Sequence, residues 1–286
     1  MSINRRNFFK TMGVAGLTMA GLDSMGAKSG GTEETEFYGI LYDATICIGC
    51  RACENACAKA HGFPEPDDEL ETGVIRKTST TRRSVINKHE TSAGEVMVRN
   101  SCMHCNQPAC ASACLTQAMY KTKEGPVIWR EDKCMGCRYC MVSCPFDVPK
   151  FEYTSTNPKI QKCDMCYDRI KQGEIPVCAE TCGDALYFGT RRELIAEAER
   201  RIAESPDSYV HQIFGEDVAG GTSALYLSPT PFDELGFDPR LKNESYPAMT
   251  KGFLYTVPAV FVLLPSLLLG LHEATKSNQN HSENHD

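Results

Sequence analysis

The sequence predicts an α+β fold of duplicated small cysteine-rich units, closed by one C-terminal transmembrane helix. Three observations predict it. The 16 cysteines of this 286-residue chain sort into four quartets without remainder. Short apolar runs follow the closing cysteines of two quartets, as strands would. Near the C-terminus, residues 253–271 run without a charge for the length a bilayer requires.

The quartets are Cys47, Cys50, Cys53, Cys57; Cys102, Cys105, Cys110, Cys114; Cys134, Cys137, Cys140, Cys144; and Cys163, Cys166, Cys178, Cys182. Each opens C-x2-C and closes C-x3-C. The third, which ends in Pro145, has the spacing of a bacterial [4Fe–4S] ferredoxin run, whose fourth cysteine serves a second cluster. Thiolates are soft anionic donors that suit iron. A disulfide scaffold needs no tight quartets, and C-x2-C neighbours pair poorly in ordinary disulfide geometry. The x2-x2-x3 rhythm is not the usual zinc spacing. A dithiol redox site explains one pair and leaves the rest. From a different class, an exported disulfide-stapled binding protein remains the alternative. A net charge of −7 without a large basic block argues against nucleic acid.

Taken in order, residues 1–27 read as an export signal. Asn4-Arg5-Arg6-Asn7-Phe8-Phe9-Lys10 resembles a twin-arginine motif, followed by an apolar run too short and glycine-rich to span a membrane. Residues 28–36 are a polar linker, and 37–42 (FYGILY) a short strand. Between 58 and 101 lie charged loops and β-rich pieces at 74–75, 85–86 and 96–98, an expected insertion of hairpins. Residues 118–120 and 127–129 flank Lys123-Glu124-Gly125-Pro126, a hairpin signal. A further strand is expected at 185–188. Thr190-Arg191-Arg192-Glu193 is a capping box opening a helix, with Leu194, Ile195, Ala198 and Ile202 on one face. Residues 205–250, rich in proline and glycine, read as an extended linker along the domain or a partner. Residues 253–271 form the anchor, whose Pro258 and Pro265 a membrane helix tolerates, and 272–286 a polar tail. Only Lys251 and Lys276 flank the anchor, so export of the body, not flanking charge, assigns the tail to the cytoplasm.

Internal repeats organise the rest. Cys47-Ile-Gly-Cys50-Arg-Ala-Cys53 matches Cys134-Met-Gly-Cys137-Arg-Tyr-Cys140, with Gly49 on Gly136 and Arg51 on Arg138. Glycine there lets the backbone turn tightly and aim amides at sulfur. Cys114-Leu-Thr-Gln-Ala118-Met-Tyr120 matches Cys182-Gly-Asp-Ala185-Leu-Tyr187 more loosely. The chain reads as duplicated or inserted two-cluster ferredoxin-like domains, an outer one of 37–98 with 158–204 and an inner one of 99–157. Arg51, Arg138, Lys150, Lys162, Arg169 and Lys171 are candidate cations near clusters, and equally candidate surface charges. His104, between two cysteines, reads as structural rather than as a ligand. No nucleophile, paired-carboxylate or Gly-rich phosphate motif is present, so a non-catalytic electron-transfer subunit is expected.

With these quartets, and with Tyr139-Cys-Met-Val-Ser-Cys-Pro-Phe-Asp-Val-Pro-Lys150 and Phe188-Gly-Thr-Arg-Arg-Glu-Leu194, nearly the whole chain resembles the four-cluster ferredoxin subunits of membrane-bound oxidoreductases. Formate dehydrogenases, molybdopterin reductases and uptake hydrogenases use such subunits. The resemblance implies four [4Fe–4S] clusters. Their ligand sets would be Cys47, Cys50, Cys53 with Cys182; Cys102, Cys105, Cys110 with Cys144; Cys134, Cys137, Cys140 with Cys114; and Cys163, Cys166, Cys178 with Cys57. The family's quartets often end in Cys-Pro, whereas Ala58, Leu115 and Gly183 replace proline here. All sixteen ligands are present, so no three-iron cluster is expected. A twin-arginine signal and a C-terminal anchor on one chain most resemble the relay subunit of a periplasmic hydrogenase. The partners implied are the large and small subunits of a [NiFe] hydrogenase, a quinone-reactive membrane subunit and the lipid bilayer. A molybdenum or tungsten enzyme such as formate dehydrogenase is the alternative. The implied location is the periplasmic face of the cytoplasmic membrane.

Overall fold

The central sheet joins strands from distant parts of the chain. In the computed structural model, which describes residues 36–282, β1 (Tyr38–Asp43) lies between β8 (Leu186–Thr190), antiparallel to it, and β9 (Ala224–Leu227), parallel to it. The expected export signal lies outside the described residues. β1 is buried along nearly its whole length, which explains its continuous apolar run. Gly39 is required at its start, because a Cβ there would meet the Ser223 carbonyl oxygen at 2.4 Å. Asp43 ends β1 fully buried, where Arg201 pairs with it at 2.9 Å and the Tyr209 hydroxyl donates to it.

One face of this sheet takes the helix α6 (Arg191–Glu204). The expected capping box forms at Thr190 and Glu193, and Leu194 and Ala198 pack on Leu41, Leu225 and Leu227. The opposite face, with Ile40, Tyr42 and Tyr226, meets Cys53 and Cys178 in the largest core. Cysteine-bearing helices are thus held against the sheet.

Between these elements, the chain runs through α1 (Ala52–Ala60), then β2 (Ser84–Thr91) and β3 (Gly94–Ser101), which pair over their full length. The expected pieces at 85–86 and 96–98 are the two arms of this one hairpin. Residues 74–75 are not a strand. Val74 and Ile75 are exposed, and the neighbouring Arg76 backbone is held by the Asn87 side chain instead. Next come α2 (Ala109–Ser112) and the expected hairpin, β4 (Met119–Lys121) with β5 (Val127–Trp129). Its turn docks on β1. Tyr38 N–H donates to the Glu124 carbonyl at 2.7 Å, and Gly125 (φ 114°) sits where a Cβ would meet Phe37 at 2.8 Å. α3 (Tyr139–Val142), the short pair β6 (Lys150–Phe151) and β7 (Ile160–Gln161), α4 (Tyr167–Lys171) and α5 (Val177–Cys182) complete the cysteine-bearing part. The expected outer and inner halves lie within one compact unit.

Residues 205–250 correct the reading of an extended linker. They supply β9, and Phe214, Phe232 and Phe237 pack with Tyr226 under the sheet. No local pattern signals this, because β9 is four residues long and buried throughout, so it shows no alternation. Its pairing partner lies about 180 residues earlier in the chain. The last element, α7 (Tyr246–Ser282), runs through Pro258 and Pro265. Its segment Tyr246–Glu273 is long and apolar enough to cross a membrane, and none of it is buried.

Candidate metal centre

All four quartets open on the same backbone turn. The residue before the second cysteine is left-handed in each: Gly49 (φ 74°), His104 (φ 46°), Gly136 (φ 73°) and Met165 (φ 60°). A non-glycine residue there costs about 1–2 kcal/mol. His104 and Met165 bear it while fully buried, so packing overrides the local preference. Arg51 and Arg138 are left-handed as well, at φ 60° and 62°, and the sequence repeat of the first and third quartets is a repeat of backbone. One result is an amide aimed at sulfur: Met165 N–H donates to Cys163 Sγ at 3.3 Å. After the second quartet, Met119 N–H donates to Cys114 Sγ at 3.3 Å.

In the first and fourth quartets both closing cysteines lie on facing helices; in the second and third only Cys110 and Cys140 do, and Cys114 and Cys144 follow the ends of α2 and α3. α1 carries Cys53 and Cys57 and packs on α5, which carries Cys178 and Cys182. The i, i+4 spacing sets each pair on one helix face. α2 packs likewise on α3, bringing Cys110 near Cys140. All sixteen cysteines are free thiols.

Four neighbourhoods result. Cys57 lies against Cys163, Cys178 and Cys166. Cys110 lies against Cys102, Cys144 and Cys105. Cys140 lies against Cys114, Cys134 and Cys137, and these four line one small cavity with Trp129 and Arg138. Cys53 has Cys182 beside it, and Cys53 and Cys47 both approach Tyr42. Each neighbourhood takes its members from two quartets. Neighbouring groups also feel one another's charge: Cys53 lies within range of Cys178, and Cys163 within range of Cys102.

Burial pushes the thiols of Cys53, Cys105 and Cys166 up to about 12, with neighbouring thiols adding to the effect. Such a crowd of sulfurs takes up negative charge only against a cation or a metal. Two buried cations are present. Arg99, on β3, donates from Nη2 to Cys178 Sγ at 3.7 Å and from Nε to Ser84 Oγ at 2.9 Å. Lys162 donates to Cys102 Sγ at 3.6 Å, to the Cys163 carbonyl at 2.6 Å and to the Val127 carbonyl. Burial works against both charges, but the surrounding cysteines outweigh it and hold both above their usual values. A third cation, Lys121, is pulled by burial down to about 8; it donates to the carbonyls of His104, Cys105 and Gly125.

Orphaned donors match the same places. His104 Nδ1 accepts from Val127 N–H at 2.9 Å, so Nε2 carries the proton, yet it has no partner among the described residues. Burial, with Lys162, Lys121 and Arg99 nearby, holds this histidine well below its usual value and neutral. Trp129 Nε1, lining the cavity of Cys114, Cys134, Cys137 and Cys140, and Ser143 Oγ, next to Cys144, are buried and unpartnered too. Groups of three or four thiols, two sulfur-directed amides and spare buried donors fit an anionic iron–sulfur group with sulfide acceptors of its own.

Among the cations named from sequence, Lys162 reaches sulfur. The rest do not: Arg51 pairs with Glu54 and Asp68, Lys150 with Asp147, Arg169 with Glu174 and Glu180, and Lys171 with Asp168. Arg138 lies over the rings of Phe151 and Tyr153. Sequence reasoning missed Arg99 and Lys121, which stand in no motif. Their only sequence signal is a charge directly after a short apolar run. It also missed His61, whose Nε2 lies 3.9 Å from Cys166 Sγ and 3.9 Å from Asp164, itself paired with Arg83 at 2.7 Å.

The 4Fe-4S dicluster domain family matches residues 94–191. A Nitratidesulfovibrio vulgaris protein is 39% identical over 97% of this chain and 78% of its own length. The hydrogenase-2 operon protein HybA of Escherichia coli O157:H7 is 33% identical over 99% of this chain and 98% of its own. The iron-sulfur subunit of the nitrate-inducible formate dehydrogenase of Escherichia coli K12 is 29% identical over 76% of this chain and 80% of its own.

Proposed function

This chain belongs to the ferredoxin-type iron–sulfur subunits, the family of HybA, and we propose that it is the relay of an exported, membrane-anchored oxidoreductase complex. It is an electron-transfer iron–sulfur subunit. The finer reading is four [4Fe–4S] clusters on a duplicated ferredoxin-like body, with 37–98 and 158–204 as its outer half and 99–157 as its inner half. The observation that carries it is the gathering of fifteen of the sixteen thiols, all but Cys50, into four groups that each draw on two quartets. On this reading Cys47, Cys50, Cys53 and Cys182 hold one cluster, and Cys57, Cys163, Cys166 and Cys178 the next. Cys102, Cys105, Cys110 and Cys144 hold a third, and Cys114, Cys134, Cys137 and Cys140 the last.

Bound clusters supply one-electron redox centres. The chain's own residues hold them, screen their charge and keep water from the middle pair. The proximity of Cys53 to Cys178 and of Cys163 to Cys102, with the packing of α2 on α3, supports that linear order. At the two ends, Cys50 and Cys137 are exposed, beside exposed Ile48 and exposed Met135 and Val142. Those ends suit electron entry and exit. The chain itself performs no substrate chemistry on this reading.

We further propose that residues 1–27 direct twin-arginine export, that 253–271 span the bilayer from the periplasmic face, and that 272–286 stay in the cytoplasm. The partners would be the large and small subunits of a [NiFe] hydrogenase and a quinone-reactive membrane subunit. The match to HybA over almost the full length of both chains supports the hydrogenase. A molybdopterin or tungsten enzyme such as formate dehydrogenase is the second reading, favoured by the similarity to its iron-sulfur subunit over three quarters of the chain. Affinity purification of the full chain from detergent-solubilised membranes separates the two. Recovery of nickel–iron subunits supports the first, and recovery of a molybdopterin subunit without them contradicts it.

A further inference from the structure

Arg99 is a fully buried charge with no carboxylate beside it among the described residues. Its hydrogen bonds go to Ser84 Oγ and Cys178 Sγ. The other buried charges on the hairpin side are treated differently: Glu54, for example, is matched by Arg76 and Arg51. A buried guanidinium without an anion is strongly disfavoured. The anion available to it is the sulfur-rich site of Cys57, Cys163, Cys166 and Cys178. Arg99 Nη2 reaches Cys178 Sγ at 3.7 Å, with Cys163 nearby. Lys162 differs in its target. Its Nζ reaches Cys102 Sγ at 3.6 Å.

We propose that Arg99 is a positioning residue that sets redox potential, raising that of the cluster held by Cys57, Cys163, Cys166 and Cys178 more than that of any other cluster in the chain. The inference rests on the four-cluster reading above. Taking up an electron makes a cluster and its thiolates more negative. A fixed positive charge beside it, in a site that excludes water, favours the reduced form. β3 supplies the rigidity: Arg99 sits opposite Ile86 in a fully paired hairpin, and Ser84 orients Nε, so the charge cannot swing to solvent. Lys162 performs the same task for the site of Cys102, Cys105, Cys110 and Cys144. The inner relay steps are therefore tuned separately, by one cation each.

The test is a redox titration followed by electron paramagnetic resonance on the full-length holoprotein, with iron analysis alongside. The signal of the Arg99 site is identified as the one whose g values change, or which vanishes, in Cys166→Ser. In Arg99→Gln that signal's midpoint should fall by at least a tenfold change in reduction equilibrium, 59 mV for one electron, with smaller changes in the other three. Arg99→Lys, which keeps the charge, should restore most of the shift. Lys162→Gln should move a different signal most. No shift in Arg99→Gln, or a largest shift elsewhere, overturns the proposal. If wild-type protein loads about sixteen irons and Arg99→Gln loads fewer, Ser84→Asp decides. It sets a carboxylate against the guanidinium and must lower the same midpoint; an unchanged midpoint overturns the proposal. Wild-type protein without four clusters would instead remove the reading on which the inference stands.

Discussion

Gly49 and His104 occupy the same place in the first and second quartets and share a left-handed backbone, although only one of them is glycine. The turn is thus required by the cysteine loop and not by the residue that happens to make it. Where a side chain is tolerated, it is anchored: His104 is buried and accepts the Val127 amide.

Alanine at the two glycines should separate strain from crowding. Gly49→Ala places a Cβ 3.0 Å from Met97 Sδ at φ 74°, whereas at Gly136 the nearest atom is 4.0 Å away. Both pay the left-handed penalty of about 1–2 kcal/mol, and Gly49→Ala adds the clash. Thermal unfolding of the holoproteins should rank Gly49→Ala below Gly136→Ala, and both below wild type. Equal midpoints for all three would contradict the strain.

His104→Ala leaves the buried Val127 amide without its acceptor. A buried donor so orphaned costs about 1–3 kcal/mol, before the loss of packing. Chemical denaturation should report at least that loss. An unchanged stability would show that the Nδ1 contact contributes nothing.

Glu54 carries a second buried network. It is 2% exposed, takes Arg76 Nη2 at 2.6 Å and Arg51 Nη2 at 3.1 Å, and accepts from Ile86 N–H. Through it α1, and with it Cys53 and Cys57, is fastened to the β2–β3 hairpin. Glu54→Ala should cost about 1–3 kcal/mol, because it leaves the buried Ile86 amide without its acceptor and Arg51 and Arg76 with Asp68 as their remaining carboxylate. Denaturant titration measures this, and a loss below about 1 kcal/mol would refute it.

Asp68 makes part of that network pH-dependent. Burial by itself would raise its carboxyl, but hydrogen bonds from Arg82, Arg76 and Arg51 outweigh burial and hold it well below the usual carboxylate range. A folded-state pKa below the unfolded one contributes stability above the unfolded value, about 3.9. That stability is lost as pH falls through the folded value. Asp68→Asn should therefore be less stable than wild type at neutral pH, and the gap should narrow progressively from pH ~4 downward, closing only below the depressed folded value. A constant difference down to strong acid would contradict the assignment.

Much of the site was legible because iron ligation imposes spacing directly on the chain. The quartets, the Gly49–Gly136 repeat and the Thr190–Glu193 cap are local patterns, and each appears as a local structure. What escaped has no local pattern. β9 is defined by its parallel partner β1, far away in the chain. Arg99 looks like any strand arginine until β3 is folded against Cys178. Of the six cations named from sequence, five answer to carboxylates or rings, because charge type alone does not tell a sulfur from a carboxylate as partner.

The proposed relay requires that the sixteen cysteines hold four cubane clusters. Iron analysis of anaerobically purified full-length protein, combined with redox-titrated electron paramagnetic resonance, tests it most directly. Holoprotein should carry about sixteen irons per chain and four one-electron centres. Iron-free protein with its cysteines joined in disulfides by mass spectrometry would contradict it.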